Sequence, residues 1–115
     1  MNEKVAILIP TINRSDFLIR QLSYYASVKS NHPIYIGDSS NKKEKLKITK
    51  FIKNLKDKLE INYSHYPNGN GTEVINEISL QVKENYCAYN GDDDFLIPNS
   101  LSKCARFLRD NKDFR

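Results

Sequence analysis

The chain has 115 residues, a length that fits one domain with its own hydrophobic core, without disulfides or metals to staple it. Hydrophobic residues make up 39% and charged residues 28%, which excludes a disordered, collagen-like or membrane-spanning chain. The net charge of +4 suggests a polyanionic partner until its placement is read: Lys42 to Lys58 carries eight lysines against Glu44 and Asp57, six positive charges net, so the rest of the chain is net −2.

Val5-Ala6-Ile7-Leu8-Ile9 is a continuous apolar run rich in β-branched residues, the pattern of a strand buried on both faces. The run stops at Pro10, too short for a signal-peptide core or a membrane span, so a cytoplasmic chain is expected. Asn13 or Ser15 is expected to cap a first helix whose inward residues are Leu18, Leu22, Tyr25 and Val28. Pro33 breaks the chain before a second strand, Ile34-Tyr35-Ile36, which ends at Gly37-Asp38. The lysine segment then reads as a helix, with Ile48, Phe51, Ile52, Leu55 and Leu59 on one stripe and lysines around the rest.

Ile61 to Tyr66 alternates weakly and reads as a third strand. Pro67-Asn68-Gly69-Asn70-Gly71 is the clearest loop, and it lacks the spacing of any phosphate-binding glycine motif. A third helix is expected from about Thr72, with Val74, Ile75, Ile78 and Val82 inward. Tyr86-Cys87-Ala88-Tyr89 is a short fourth strand running into Asn90-Gly91-Asp92-Asp93-Asp94. Pro98 and Asn99 open a last helix with Leu101, Cys104, Ala105 and Leu108 inward. Cys87 and Cys104 fit neither a disulfide scaffold nor a zinc pattern and read as reduced, core-filling thiols, while His32 and His65 stand apart from them and from each other.

Strands separated by helices imply an α/β fold: an open, mostly parallel Rossmann-like sheet of about four strands with helices on both faces. In such sheets ligands bind beyond the carboxyl ends of the strands, where strand order reverses. That rule selects Thr11 to Arg14, Asp38 to Asn41 and Asn90 to Asp94. Of these, Asp92-Asp93-Asp94 carries the sharpest chemistry. Adjacent carboxylates disfavour one another's ionisation unless solvated or neutralised, and their oxygens are hard donors suited to Mg²⁺ or Mn²⁺. In extended backbone Asp92 and Asp94 would face one ion together with Asp93 turned away. Such an ion would complete its shell with substrate phosphates, so a diphosphate is implied. Asp38 is placed to meet a ribose hydroxyl or a base edge. Pro10 and Thr11 can lie along a base, and Arg14 can meet a phosphate.

These blocks resemble the family 2 glycosyltransferases of the GT-A fold. Val5 to Arg14 is similar to their first strand, Ile34 to Ser40 to their second strand with its nucleotide-contacting Asp, and Tyr89 to Leu101 to their DXD segment and following helix. The resemblance implies transfer of a sugar from a nucleotide-diphospho-sugar, a UDP-sugar first, to a glycan or lipid-linked acceptor, with Mn²⁺ or Mg²⁺ as cofactor. It implies that Pro10, Thr11, Asn13, Arg14 and Asp38 hold the nucleotide, that Asn76 approaches the sugar, and that the acidic motif holds the metal. A literal DXD makes Asp92 and Asp94 the metal ligands, and Asp92 and Asp93 count among the residues that bind the nucleotide sugar. The commoner form has an Asp at the place of Gly91 and makes Asp93 and Asp94 the matching acids. The general base of this family lies in an acceptor-binding half, expected beyond Arg115, so residues 1–115 read as a single truncated donor-binding region. An open sheet edge would favour self-association.

Two other readings follow from the same residues. The Lys42 to Lys58 helix suits a non-catalytic module that binds anionic membrane, at the inner face, or nucleic acid; the acidic remainder speaks against nucleic acid. A phosphoacceptor receiver domain has this length and an acidic Mg²⁺ pocket, but it needs acids after the first strand, where this chain has Thr11 and Asn13.

Overall fold

The buried run at the start of the chain forms β1 (Val5–Thr11), the centre of the sheet in this computed structural model, which describes residues 3–114. With β2 (Ile34–Asp38), β3 (Ile61–His65) and β4 (Tyr86–Tyr89) it makes a four-stranded sheet of order β3-β2-β1-β4, parallel at every pairing. Between the strands run α1 (Ser15–Ser27), α2 (Lys42–Asn54) and α3 (Gly71–Ser79), and α4 (Pro98–Asp110) follows β4. No described helix is long and apolar enough to cross a membrane.

Strand alternation sorts the core into two layers. Val5, Ile7, Ile9, Ile34 and Ile36 face α1, α2 and α4 and pack with Leu18, Leu22, Tyr25, Ile48, Leu101 and Ala105. Ala6, Leu8 and Tyr35 face the opposite side and pack with Ile78 of α3. The expected helices on both faces are therefore present, three on one side and one on the other. Gly37 sets how closely α3 can lie: a methyl group there would overlap Val74 Cγ1 and approach Ile78 Cγ2 to 3.1 Å.

β1 runs two residues past the apolar run, through Pro10, although proline is poorly tolerated inside a sheet. The register explains it. β4 pairs with β1 only as far as Leu8 and Tyr89. The Leu8 carbonyl accepts from Asn90 N on that side. Two residues on, Pro10 points the same way, past the end of the ladder, so its missing N–H leaves no ladder bond unmade.

Several inward assignments need correction. Val28 is exposed, because α1 ends at Ser27 and Lys29 adopts a left-handed conformation (φ 54°) that turns the chain away. Cys104 and Cys87 are both exposed rather than core-filling. Cys104 flanks the narrow stripe of Leu101 and Ala105, the buried residues of α4, and Cys87 lies on the α3 side of edge strand β4, beyond that helix's reach. Leu108 and Val82 are half-buried. The lysine helix stops at Asn54, and Leu55 and Leu59 are buried from the turns that follow.

His32 is a structural pin. It is 1% exposed, and its Nδ1 accepts from Val5 N at 3.0 Å. The proton must then sit on Nε2, which lies 3.0 Å from the Pro98 carbonyl and 3.1 Å from Ser102 Oγ. One neutral imidazole thus ties the start of β1 to the start of α4, and burial lowers its pKa below the ordinary value.

Candidate functional site

Strand order reverses at β1: the chain leaves it toward β2 on one side and returns to it as β4 on the other. A crevice opens there at the carboxyl ends. One hollow of about 210 Å³ is lined by Pro10, Thr11, Arg14, Ser39, Gly69 and Asp92, among others. A second, of about 400 Å³, shares Pro10 and Gly71 with it and continues to Asn76 and Tyr89. All three loops that sequence patterning placed at this edge, after β1, β2 and β4, contribute residues to it.

The acidic segment is a turn rather than extended backbone, closed by Asp94 N donating to Gly91 O at 3.2 Å. The i, i+2 arrangement expected for Asp92 and Asp94 is therefore not the one adopted. Asp92 is buried, accepts from Thr11 Oγ1 at 2.8 Å and lies 3.5 Å from Arg14 Nε. Asp93 and Asp94 are exposed and gather over Gly91: a Cβ there would come 3.3 Å from Asp93 Oδ1 and 3.6 Å from Asp94 Oδ2. Asp94 carries no side-chain ion pair or hydrogen bond among the described residues. Nor do three potential ligands converge there into a ready-made metal cluster.

The turn is clamped from beneath by α1. Gln21, 1% exposed, donates from Nε2 to the carbonyls of Gly91 (2.7 Å) and Asp94 (2.5 Å). Holding both leaves Gln21 Oε1 buried without a partner, a cost of about 1–3 kcal/mol for an orphaned polar group. Tyr25 OH accepts from Asn90 Nδ2 at 2.6 Å and from Leu96 N at 3.0 Å, and burial raises its pKa. Sequence patterning reads Tyr25 only as core and passes over Gln21. A glutamine on the α1 stripe beside Leu18, Leu22 and Tyr25 was the available signal.

Asp38 and Asn13 differ most from expectation. Asp38 is 0% exposed; its Oδ1 accepts from Ser40 N at 2.9 Å and its Oδ2 from Tyr63 OH at 2.5 Å. Burial and this carboxylate together push the Tyr63 pKa well above its ordinary value. Asp38 therefore holds the loop after β2 from below, and Gly37 and Ser39 line the crevice instead. Asn13 adopts a left-handed φ of 51°, its N donates to Ser40 Oγ at 2.8 Å, and its Oδ1 accepts from Asn41 N at 2.8 Å. It staples the two loops together rather than capping α1. Glu44 of α2 takes the cap, accepting from Ser15 Oγ at 3.0 Å and from Ser15 N at 3.4 Å. That hydrogen bond holds the Glu44 carboxyl below its ordinary pKa. Arg14 lies over the acidic turn, Nη2 to Asp93 Oδ2 at 3.4 Å, and Asn76 is exposed in the second hollow.

No protein-family model and no curated protein matches the chain in sequence. Solved structures do match it in shape. Residues 1–349 of TarS from S. aureus superpose at a TM-score of 0.75 with 18% identity, over 95% of this chain and 33% of that one. The same protein in complex with UDP gives 0.73 and 19%, over 95% and 33%. The mannosyltransferase PcManGT from Pyrobaculum calidifontis, in complex with GDP-Man and Mn²⁺, gives 0.78 and 13%, over 96% and 34%. The chain thus spans about a third of the length of these proteins. At such identities the likeness is one of fold, and the fold is the open α/β sheet of the GT-A type.

Proposed function

We propose that this chain is the donor-binding part of a glycosyltransferase, taking a nucleotide-diphospho-sugar, a UDP-sugar first, together with Mn²⁺ or Mg²⁺. The observation that carries this reading is the acidic turn. Asp93 and Asp94 are exposed, with carboxylate oxygens 3.3 and 3.6 Å from where a Cβ on Gly91 would stand, next to Asp92, which lines the crevice and accepts from Thr11. The shared fold supports it, since one similar structure holds GDP-Man with Mn²⁺ and another holds UDP.

The donor set suits a hard divalent ion: two exposed carboxylates, one of them without a protein partner, leave room for water and phosphate oxygens. When bound, such an ion supplies Lewis-acid stabilisation of the departing diphosphate. The remaining roles belong to the chain itself. Pro10, Ser39 and Gly69 offer the walls for the nucleoside, with Thr11 and Asp92 at its diphosphate end. Asp38 and Asn13 hold these walls in place, and Gln21 with Tyr25 fixes the height of the acidic turn. Asn76 lies toward the sugar. Attack on the anomeric carbon by a hydroxyl of a glycan or lipid-linked acceptor, and self-association through the open edge of β4, belong to the same proposal. The free, exposed thiols Cys87 and Cys104 accord with a reducing, cytoplasmic setting.

A thermal-shift panel tests the reading. UDP, GDP and ADP, each with Mn²⁺ or Mg²⁺, are compared at matched concentrations. A ligand at 100 times its Kd stabilises by about 2.7 kcal/mol, an easily read rise in Tm. Stabilisation by UDP that needs the ion supports the proposal. No shift with any nucleotide, while anionic vesicles bind through the α2 lysines, would favour the non-catalytic module instead.

A further inference from the structure

We propose that Arg14 serves as a built-in counter-ion of the acidic turn, which a divalent cation must displace, so that metal binding waits on a diphosphate. This rests on the donor-binding reading above and adds to it a residue that sets the order of binding.

The guanidinium spans two of the three carboxylates, with Nε 3.5 Å from Asp92 Oδ1 and Nη2 3.4 Å from Asp93 Oδ2. Both separations are long for charge-assisted hydrogen bonds, which close to about 2.7–2.9 Å. The hold is therefore loose, and Asp93, half exposed at 50%, gains little from it. Arginine stays charged at any ordinary pH, so it can leave the turn only by swinging away. The Arg14 side chain is 43% exposed, so it is free to swing, at the cost of the contact its guanidinium makes with the face of Phe17, 4.6 Å from the ring centroid. Arg20 lies over the same ring at 5.1 Å, so Phe17 keeps a cationic partner when Arg14 leaves.

An ion held by Asp93 and Asp94 cannot share Asp93 with Arg14 without strong repulsion. A divalent ion arriving alone must expel Arg14 into solvent. A diphosphate arriving in the hollow that Arg14 lines offers the planar guanidinium a bidentate partner of its own. Arg14 then exchanges carboxylate for phosphate, and the acidic turn is released as the phosphates that complete an ion's shell come within reach. Arg14 is thus a positioning residue.

The test measures free Mn²⁺ by its paramagnetic resonance signal during titration of the full chain, without nucleotide and then with UDP. Arg14→Gln, which removes the charge, is expected to bind Mn²⁺ alone about ten-fold tighter than wild type, an effect on the scale of one close charge pair near a surface. Adding UDP is expected to tighten Mn²⁺ binding strongly in wild type and weakly in the variant. Arg14→Lys keeps a charge that cannot bridge two carboxylates, and is expected to fall between the two. It carries the test if Arg14→Gln does not fold. Equal affinity for Mn²⁺ alone in wild type and the folded variants, with UDP-dependent binding intact, overturns the counter-ion role. No Mn²⁺ binding by any form, with or without UDP, overturns the donor-binding reading and this inference with it.

Discussion

Two carboxylate sites stand at the same edge of one sheet, and they are built in opposite ways. Asp38 is sealed, with both oxygens committed to neutral donors, Ser40 N and Tyr63 OH. The Asp92–Asp94 turn is held firmly through its backbone by Gln21, yet two of its three side chains stand in solvent. The first arrangement spends its charge on fixing a loop. The second fixes the backbone and leaves charge unspent, as a cation site requires. Carboxylates at strand ends can thus serve architecture or chemistry, and the number of fixed partners separates the two.

The largest break in this comparison is expected at Asp38. Asp38→Ala strands Ser40 N and Tyr63 OH in the interior and is expected to cost about 3 kcal/mol, read as a lower urea midpoint. Asp94→Ala is expected to shift stability by no more than about 0.5 kcal/mol, because its side chain has no partner to lose. Gly37→Ala comes next, at about 1–3 kcal/mol, since its methyl overlaps Val74 and pushes α3 from β2. Tyr25→Phe leaves Asn90 Nδ2 and Leu96 N unpaired under the acidic turn, costing about 1–2 kcal/mol. It should also speed hydrogen exchange at the Leu96 amide.

A further effect is one of pH. His32 is buried neutral, with a folded pKa below its ordinary 6.5. The unfolded chain therefore takes up the proton first. The stability that His32 lends is complete above about pH 6.5 and is lost as pH falls toward its folded value. A urea midpoint that declines in that window, and declines less in His32→Asn, checks it. An unchanged slope in the variant would remove His32 from the account.

The strands and the switch-point edge were legible because they rest on runs of apolar residues, which write burial directly into sequence. Tyr86 to Tyr89 coincides with β4 residue for residue. The roles of single polar residues were not legible to the same degree. Asn13 looks like a cap and acts as a staple, because Glu44, 29 residues from Ser15, takes over the capping. Asp38 reads as a nucleotide contact from the sequence; that its carboxylate is also a buried tie to Ser40 N and Tyr63 OH is not legible, because Tyr63 arrives from a neighbouring strand. Both outcomes depend on contacts across elements, to which local pattern is blind. The sequence reading puts Asp92 and Asp94 on the ion, with Asp94 common to both alignments; the turn after Gly91 instead holds Asp92 on Thr11 and leaves Asp94 without a side-chain partner among the described residues.

The contrast between a sealed and an open carboxylate site is tested most directly by titrating UDP into wild type and Asp94→Ala, each with Mn²⁺ and with a chelator. The account predicts at least about ten-fold tighter binding with Mn²⁺ in wild type, the equivalent of about 1.4 kcal/mol, and loss of that difference in a normally folded Asp94→Ala. UDP affinity that ignores Mn²⁺ in wild type, or a Mn²⁺ effect that survives in Asp94→Ala, would contradict it.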